Sequence, residues 1–290
     1  MSKVAILTDT NSGITPSEQE KLGIYVIPMP FYIDDKLFFE FVDLSQDDFY
    51  QMLENDCQIT TSMPSAGDVM DKWEELLEEY DEVVYIPMSS GLSSSCQTAI
   101  MLSDDYDGKV QVVDNQRISV TMRLAALEAK KLADEGKSAL EIKEYLEEHK
   151  KESTIYITVD TLKYLKKGGR LTPAVAAIGT LLHIKPVLQI QGEKLDTFSK
   201  ARTMKQAKQV MMDAIEKDLN ERFMDPEGKE YVISIAHTNN LTEAEIFKKE
   251  AEERFPNHRV EINPLALSIS CHIGPGSLAI TATKSIVENI

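Results

Sequence analysis

The stretch that decides the fold runs from Glu82 to Asp104, EVVYIPMSSGLSSSCQTAIMLSD. Val83 to Pro87 is a compact run of β-branched and aromatic residues, which predicts a buried strand. SCQTAIMLSD, from Ser95, predicts a helix. The serine-rich SSGLSSS therefore leaves the carboxyl end of a strand and enters the amino end of a helix, the edge at which open α/β sheets bind ligands. Backbone N–H groups, the helix dipole and small hydroxyls make an anion cradle there. The competing reading is that Ser93, Ser94 or Ser95 only caps the helix. A second entrance, TTSMPSAG from Thr60 to Gly67, has the same design: a hydroxyl cluster, then Pro64 at the expected first helical position. Two such entrances point to one shared anion more than to two independent caps.

Working outward, the same strand and helix rhythm recurs. KVAILTD, YVIPMPFYI, KVQVVDN and TIYITVD are apolar runs bounded by turn residues, as expected for buried strands of a parallel sheet. PSAGDVMDKWEELLEEY places Val69, Trp73, Leu76, Leu77 and Tyr80 on one face of a helix and its acids on the other. SVTMRLAALEAKKLADEG ends at Gly136, and SALEIKEYLEEHKK opens with a Ser138 to Glu141 capping box. Beyond Asp160 come KLDTFSKAR, the helix TMKQAKQVMMDAIEKDL, the strand YVISIAHT, the helix LTEAEIFKKEAEERF and a final strand SLAITAT. The fold class expected is α/β, with a parallel-sheet domain over residues 1–152 and a second, two-layer α/β domain over 153–290. No Gly/Ser-rich tether separates the halves, so close packing is expected.

Composition excludes several classes of function. A net charge of −17 over 290 residues repels a phosphate backbone, and no basic stripe interleaved with aromatics opposes it. Nucleic acid is not an expected partner. Cys57, Cys96 and Cys271 are widely spaced with no CxxC, which gives neither a disulfide framework nor a zinc site. The opening MSKVAILTDT lacks a secretory pattern, so a cytoplasmic location is expected. The longest apolar candidate, AVAAIGTLLHI, is too short to span a bilayer and contains His183, so no integral membrane segment is expected.

Candidate chemistry narrows further. The phosphate-loop pattern GxxxxGK[ST] is absent, and the GxGxxA match at Gly274 to Ala279 has no βαβ unit after it. GLSSS ends in serine where a nucleophile elbow needs a small residue. Cys271 beside His272 reads as a small buried filler, since a cysteine nucleophile needs its base in space rather than in sequence. LKYLKKGGRLTP, Leu162 to Pro173, ends a helix with Lys166 and Lys167 offsetting its dipole, breaks at Gly168 and Gly169, and projects Arg170 beyond the cap. AVAAIGTLLHIKPVLQI then follows; most of it reads as a buried helix and strand, while its alanines and glycine leave room beside the backbone for the alternative of a narrow hydrocarbon tunnel.

ILTDTNSGI, TTSMPSAG, SSGLSSSCQTA, TLKYLKKGGRL, IKPVLQI and HIGPGSLAI occur in that order across nearly the whole chain. In this the sequence resembles the DegV family of fatty-acid-binding proteins, which includes the FakB-type subunit of bacterial fatty acid kinase. The resemblance implies a Rossmann-like amino domain, a second α/β domain and one long-chain fatty acid in a tunnel between them. It implies a lipid-binding subunit without catalysis or cofactor of its own. Such a subunit presents the carboxylate to an ATP-binding kinase, which forms an acyl phosphate for phospholipid synthesis. Residue by residue, Thr61, with Ser62 beside it, and Ser93 match the hydroxyls that hold the carboxylate, and Ser94 offers a neighbouring N–H. His272 matches the histidine near the head group, while Arg170 and Arg202 match positions tied to the head-group region and kinase docking. DTNSGI departs from the pattern many members carry after the aspartate, and no role is assigned to Asn11 or Ser12. Two alternatives stay open: a serine-dependent acyl or phosphate-ester hydrolase with Ser93 as nucleophile and His272 as base, or a regulatory lipid sensor.

Overall fold

The structure, a computed structural model, describes residues 2–55, 57–170, 172–176, 184–192 and 194–287. Its first sheet is wholly parallel, in the order β2 (Ile24–Ile27), β1 (Val4–Asp9), β6 (Glu82–Ile86), β7 (Val110–Val112). Every residue of β1 is buried, because both faces are covered. Val4 and Ile6 pack under α5 (Val120–Asp134) and α6 (Ala139–Glu148), whereas Ala5 and Leu7 pack with Trp73 and Tyr85 under α3 (Ala66–Leu77) and α4 (Ser95–Ser103). α1 (Pro16–Leu22) joins β1 to β2. The capping box that opens α6 is formed, with Glu141 N donating to Ser138 Oγ at 3.3 Å and Ser138 N to Glu141 Oε2 at 2.9 Å.

Two local expectations need correction. YVIPMPFYI is not one strand: β2 ends at Ile27, and β3 (Pro30–Ile33) turns away into a small antiparallel sheet with β4 (Lys36–Phe39) and β5 (Ile59–Thr61), in the order β4-β3-β5. Pro28 and Pro30 have no N–H to give a ladder, so the parallel sheet cannot continue through them. Pro64 does not open a helix either. Ser65 is the cap of α3, its hydroxyl accepting from Asp68 N at 3.0 Å, and Pro64 precedes it. α2 (Gln46–Glu54) packs on the small sheet through Phe49, Tyr50 and Leu53.

The second sheet has the order β10 (Lys194–Ala201), β9 (Lys185–Gln191), β8 (Ser153–Thr158), β13 (Leu278–Lys284), β11 (Tyr231–His237), β12 (Val260–Pro264). TIYITVD forms β8, which runs antiparallel to both β9 and β13, so the parallel expectation fails for this strand. An apolar run signals burial and says nothing of direction. One face of the sheet, with Tyr156, Ile233 and Ile280, packs on α9 (Met204–Lys217) and α10 (Leu241–Arg254) through Met211, Ile215 and Phe247. The other face, with Ile155, Ile157, Leu188 and Ala279, meets Ile118 and Val120 at the start of α5. It also meets Leu165 of α7 (Lys163–Lys167), Val175 of α8 (Pro173–Ala176) and Ile273 of α11 (Leu267–Ile273). Residues 177–183, including His183 and most of the expected tunnel wall, lie outside the described residues. Among the described residues no helix is long and apolar enough to cross a membrane.

Candidate functional site

Both hydroxyl-rich entrances open at carboxyl ends of strands. β5 ends on Thr61, and β6 feeds the loop that enters α4 at Ser95. Between them and the inner face of the second sheet lies a cavity of about 380 Å³, a size suited to a small-molecule ligand. Thr61, Ser62, Ser93, Ser94, His272 and Arg170 all line it. Arg202 does not: it is exposed at the entrance to α9, its backbone N donating to Gln206 Oε1 at 2.9 Å.

The polar end centres on α11. Thr61 Oγ1 lies 2.9 Å from His272 Nε2, although the two residues are 211 apart in sequence. His272 Nδ1 is buried without a partner among the described residues. Gly168 presses against that nitrogen so closely that a Cβ built there would be 2.1 Å away, which explains why the break in KKGGR must begin with glycine. Gly274, at φ +75°, is tied in a similar way: a Cβ would lie 2.3 Å from the Tyr164 ring. HIGPGS is thus a turn packed on α7 and leading into β13, not a nucleotide loop. Burial pushes the His272 imidazole down to about 4, and the Arg170 charge acts in the same direction. The ring is neutral near pH 7. Arg170 follows the α7 cap as expected, exposed, with Nη1 donating to Gly168 O at 2.9 Å.

The serines divide their work. Ser93 Oγ accepts from Ser95 N at 3.2 Å, so it does cap the α4 entrance, while its own hydrogen stays free to donate. Ser94 holds the cap position without a side-chain cap bond, and its hydroxyl reaches Met63 Sδ at 3.7 Å. Ser62 Oγ donates to Met63 O at 3.1 Å. Cys271 is buried and its thiol is pushed up to about 12, chiefly by desolvation, which makes it inert packing.

Four polar lining residues escaped the sequence reading: Asn11, Ser119, Ser268 and Thr281. Asn11 lines the cavity and accepts from Ser268 Oγ at 2.6 Å, while its own Nδ2 donates to Asp9 Oδ1 at 2.7 Å. Asp9 is fully buried, and desolvation raises it to about 6 even though Met88 N and Asn11 N both donate to it. The position of DTN at the carboxyl end of a parallel strand was the available signal for Asn11. Ser268, Ser119 and Thr281 had none, since isolated hydroxyls on a helix, in a loop and on a strand are ordinary. Among the described residues no cluster of three or more His, Cys, Asp or Glu is placed to hold a metal ion.

Known proteins are similar to this chain in sequence and fold. DegV domain-containing protein SA1258 of Staphylococcus aureus is 30% identical over 284 residues, which cover 98% of this chain and all of that one. The solved structure of a DegV family protein from Thermus thermophilus, described for its fatty acid binding, superposes with a TM-score of 0.87 at 27% identity, over 98% of this chain and 100% of that one. DegV of Bacillus subtilis, a fatty acid binding protein, gives 0.86 at 28% identity over the same shares. A family model described as "Uncharacterised protein, DegV family" matches residues 3–285, and with nearly the whole length so matched, this chain belongs to the DegV family.

Proposed function

We propose that this chain binds one long-chain fatty acid in the cavity, with its carboxylate at Thr61, Ser62, Ser93, Ser94 and His272. In this reading residues 1–152 form the unit that supplies the head-group loops, and 153–290 the unit that walls the acyl chain. The observation that carries it is one cavity with a hydroxyl-rich end and an aliphatic remainder that includes Ile155, Ile157, Leu188, Ile190 and Leu195. Burying methylenes contributes about 0.8 kcal/mol each, so a chain with about a dozen of them buried gains on the order of 10 kcal/mol before association costs. The head group fixes orientation. With Nε2–H of neutral His272 donating to Thr61 Oγ1, the Thr61 hydroxyl hydrogen is free to point at a carboxylate oxygen, and Ser93 supplies a second donor. Neutral donors satisfy the charge without a tight ion pair, which leaves the oxygen nucleophilic. This suits presentation to a partner ATP-dependent kinase that forms an acyl phosphate for phospholipid synthesis. Arg170 at the cavity and Arg202 on the surface are the proposed head-group and docking cations.

A hydrolase would need His272 bonded to the Ser93 hydroxyl and a carboxylate orienting the other ring nitrogen. Here Nε2 pairs with Thr61 and Nδ1 has no partner among the described residues, which favours binding over hydrolysis. The Thermus thermophilus and Bacillus subtilis relatives, both described with fatty acids, support the same ligand class. Native mass spectrometry of protein purified from cells tests the reading. One retained long-chain acid per chain is expected, together with a Tm above that of delipidated protein, because a ligand bound only by the folded state stabilises it. Empty protein whose Tm is indifferent to added palmitate and oleate would refute it.

A further inference from the structure

Among the described residues, the aliphatic wall of the cavity carries one buried hydroxyl without a partner. Thr281 lines the cavity from β13, is 1% exposed, and its buried Oγ1 makes no hydrogen bond among the described residues. Its cross-strand neighbours are Ile155 of β8 and Ser234 of β11, and neither satisfies it. Buried hydroxyls are ordinarily paired, because an unmade bond forfeits what water supplied. Most buried threonines here obey that rule. Thr8 donates to Ile86 O at 2.9 Å, Thr121 to Ile118 O at 2.8 Å and Thr238 to Gly274 O at 2.6 Å. Thr283, two residues on and facing the same side as Thr281, lies 3.0 Å from Ser153 Oγ. Valine would fill the Thr281 position with equal strand preference and no unpaired group. Ser119 adds a second hydroxyl to the lining. It precedes α5 without making a side-chain cap bond, and its backbone is held at φ +59°, ψ −137°, a sparsely populated conformation for a residue with a side chain.

Thr281 sits in the aliphatic wall, with Ala279 two residues before it on the same strand face and Ile155 opposite it, both lining the cavity. α11 ends at Ile273, and the chain then enters β13 at Leu278. At about 3.3 Å per strand residue, Thr281 is about 10 Å further along than Leu278. We propose that the cavity takes a fatty acid with an oxygen inside its chain, a mid-chain hydroxy or oxo acid, and that Thr281 is the residue selecting it; this rests on the fatty-acid reading above. Thr281 donates to an oxo group, or exchanges one hydrogen bond with a hydroxyl. A plain methylene leaves it dry and unpaired. A site built to bond a ligand oxygen discriminates strongly against the analogue without one.

Titration calorimetry with stearate and its mid-chain hydroxy and oxo derivatives tests this on the wild type and on Thr281→Val, Thr281→Ser and Thr158→Val. Thr158 is the control, an equally unpartnered hydroxyl that does not line the cavity and shares the Tyr156 face of β8. At least one oxygenated acid should bind the wild type about tenfold more tightly than stearate. Thr281→Val should abolish or invert that preference, while Thr281→Ser and Thr158→Val keep it. Equal or tighter binding of stearate than of every oxygenated acid, or an unchanged ratio in Thr281→Val, overturns the proposal with fatty-acid binding intact. Failure of all the acids to bind overturns the fatty-acid reading, and this proposal with it.

Discussion

A hydroxyl at a strand end can serve its own backbone or a ligand, and Thr61 and Ser93 differ in how they divide that service. Thr61 Oγ1 meets a side chain, His272 Nε2 at 2.9 Å, and no helix depends on it. Ser93 Oγ accepts the Ser95 N–H that opens α4. Thr61→Ala should therefore weaken fatty-acid binding by about ten- to a hundredfold, the range for a lost bond to a charged acceptor, with little change in the stability of the lipid-free protein. Ser93→Ala should do both, lowering lipid-free stability by about 1 kcal/mol as a lost cap does and weakening binding as well. Denaturant unfolding of delipidated protein, paired with calorimetric titration of palmitate, separates the two. Equal stability losses with unchanged affinity would reduce both residues to structural roles. The two hydroxyls stood out in the sequence because they cluster at helix entrances. Their link to His272 did not, since the two positions lie 211 apart and no spacing rule spans that gap.

At the scale of elements, α11 is where the polar end is anchored, and a buried acid holds it. Glu40 is 1% exposed, its Oε2 accepts from Leu267 N at 3.0 Å at the start of α11, and Oε1 has no partner among the described residues. Desolvation raises this carboxyl from 4.5 to about 8, so it keeps its proton at neutral pH. A raised folded value means the folded chain binds the proton more tightly. The contribution is complete below about 4.5 and is lost as pH rises through about 8. Asp9, raised to about 6, acts in the same direction at lower pH. Between about pH 6 and 8, therefore, wild-type stability should decline, and Glu40→Gln should flatten that decline by on the order of 2 kcal/mol. Thermal unfolding of both proteins across that window checks it, and parallel curves would remove Glu40 from the account. Elements with long apolar periods or caps, such as β1, β6, α3, α5 and α6, were legible in the sequence. The small sheet was not. Its strands are three or four residues long, and its pairing of Phe31 with Thr61 joins segments that no local pattern connects. The direction of β8 was equally hidden, because it is set by partners reached only through the tertiary fold.

At the scale of the whole molecule, charge decides how a partner can approach. On the proposed function the partner is an ATP-bearing kinase, which a chain with net charge −17 would repel at long range unless a local basic patch offsets the field. Two basic clusters exist, Lys166, Lys167 and Arg170 after α7, and Lys200, Arg202 and Lys205 at the entrance to α9. Only the first contributes to the cavity, through Arg170, so substitutions should separate capture of the acid from docking of the kinase. Arg202→Ala should leave fatty-acid affinity within about twofold, as expected of an exposed charge remote from the ligand, yet sharply reduce acyl-phosphate formation with the cognate kinase. Arg170→Ala should disturb both. Because the steering is long-range, the wild-type rate should fall as salt rises from low to physiological strength, where the screening length shortens to about 8 Å. That salt dependence should be weaker in Arg202→Ala. Single-turnover acyl-phosphate assays over a salt series, alongside palmitate titrations of each variant, provide the measurement. Wild-type rates in both variants with no salt dependence would remove the docking patch and leave the proposed fatty-acid site untouched.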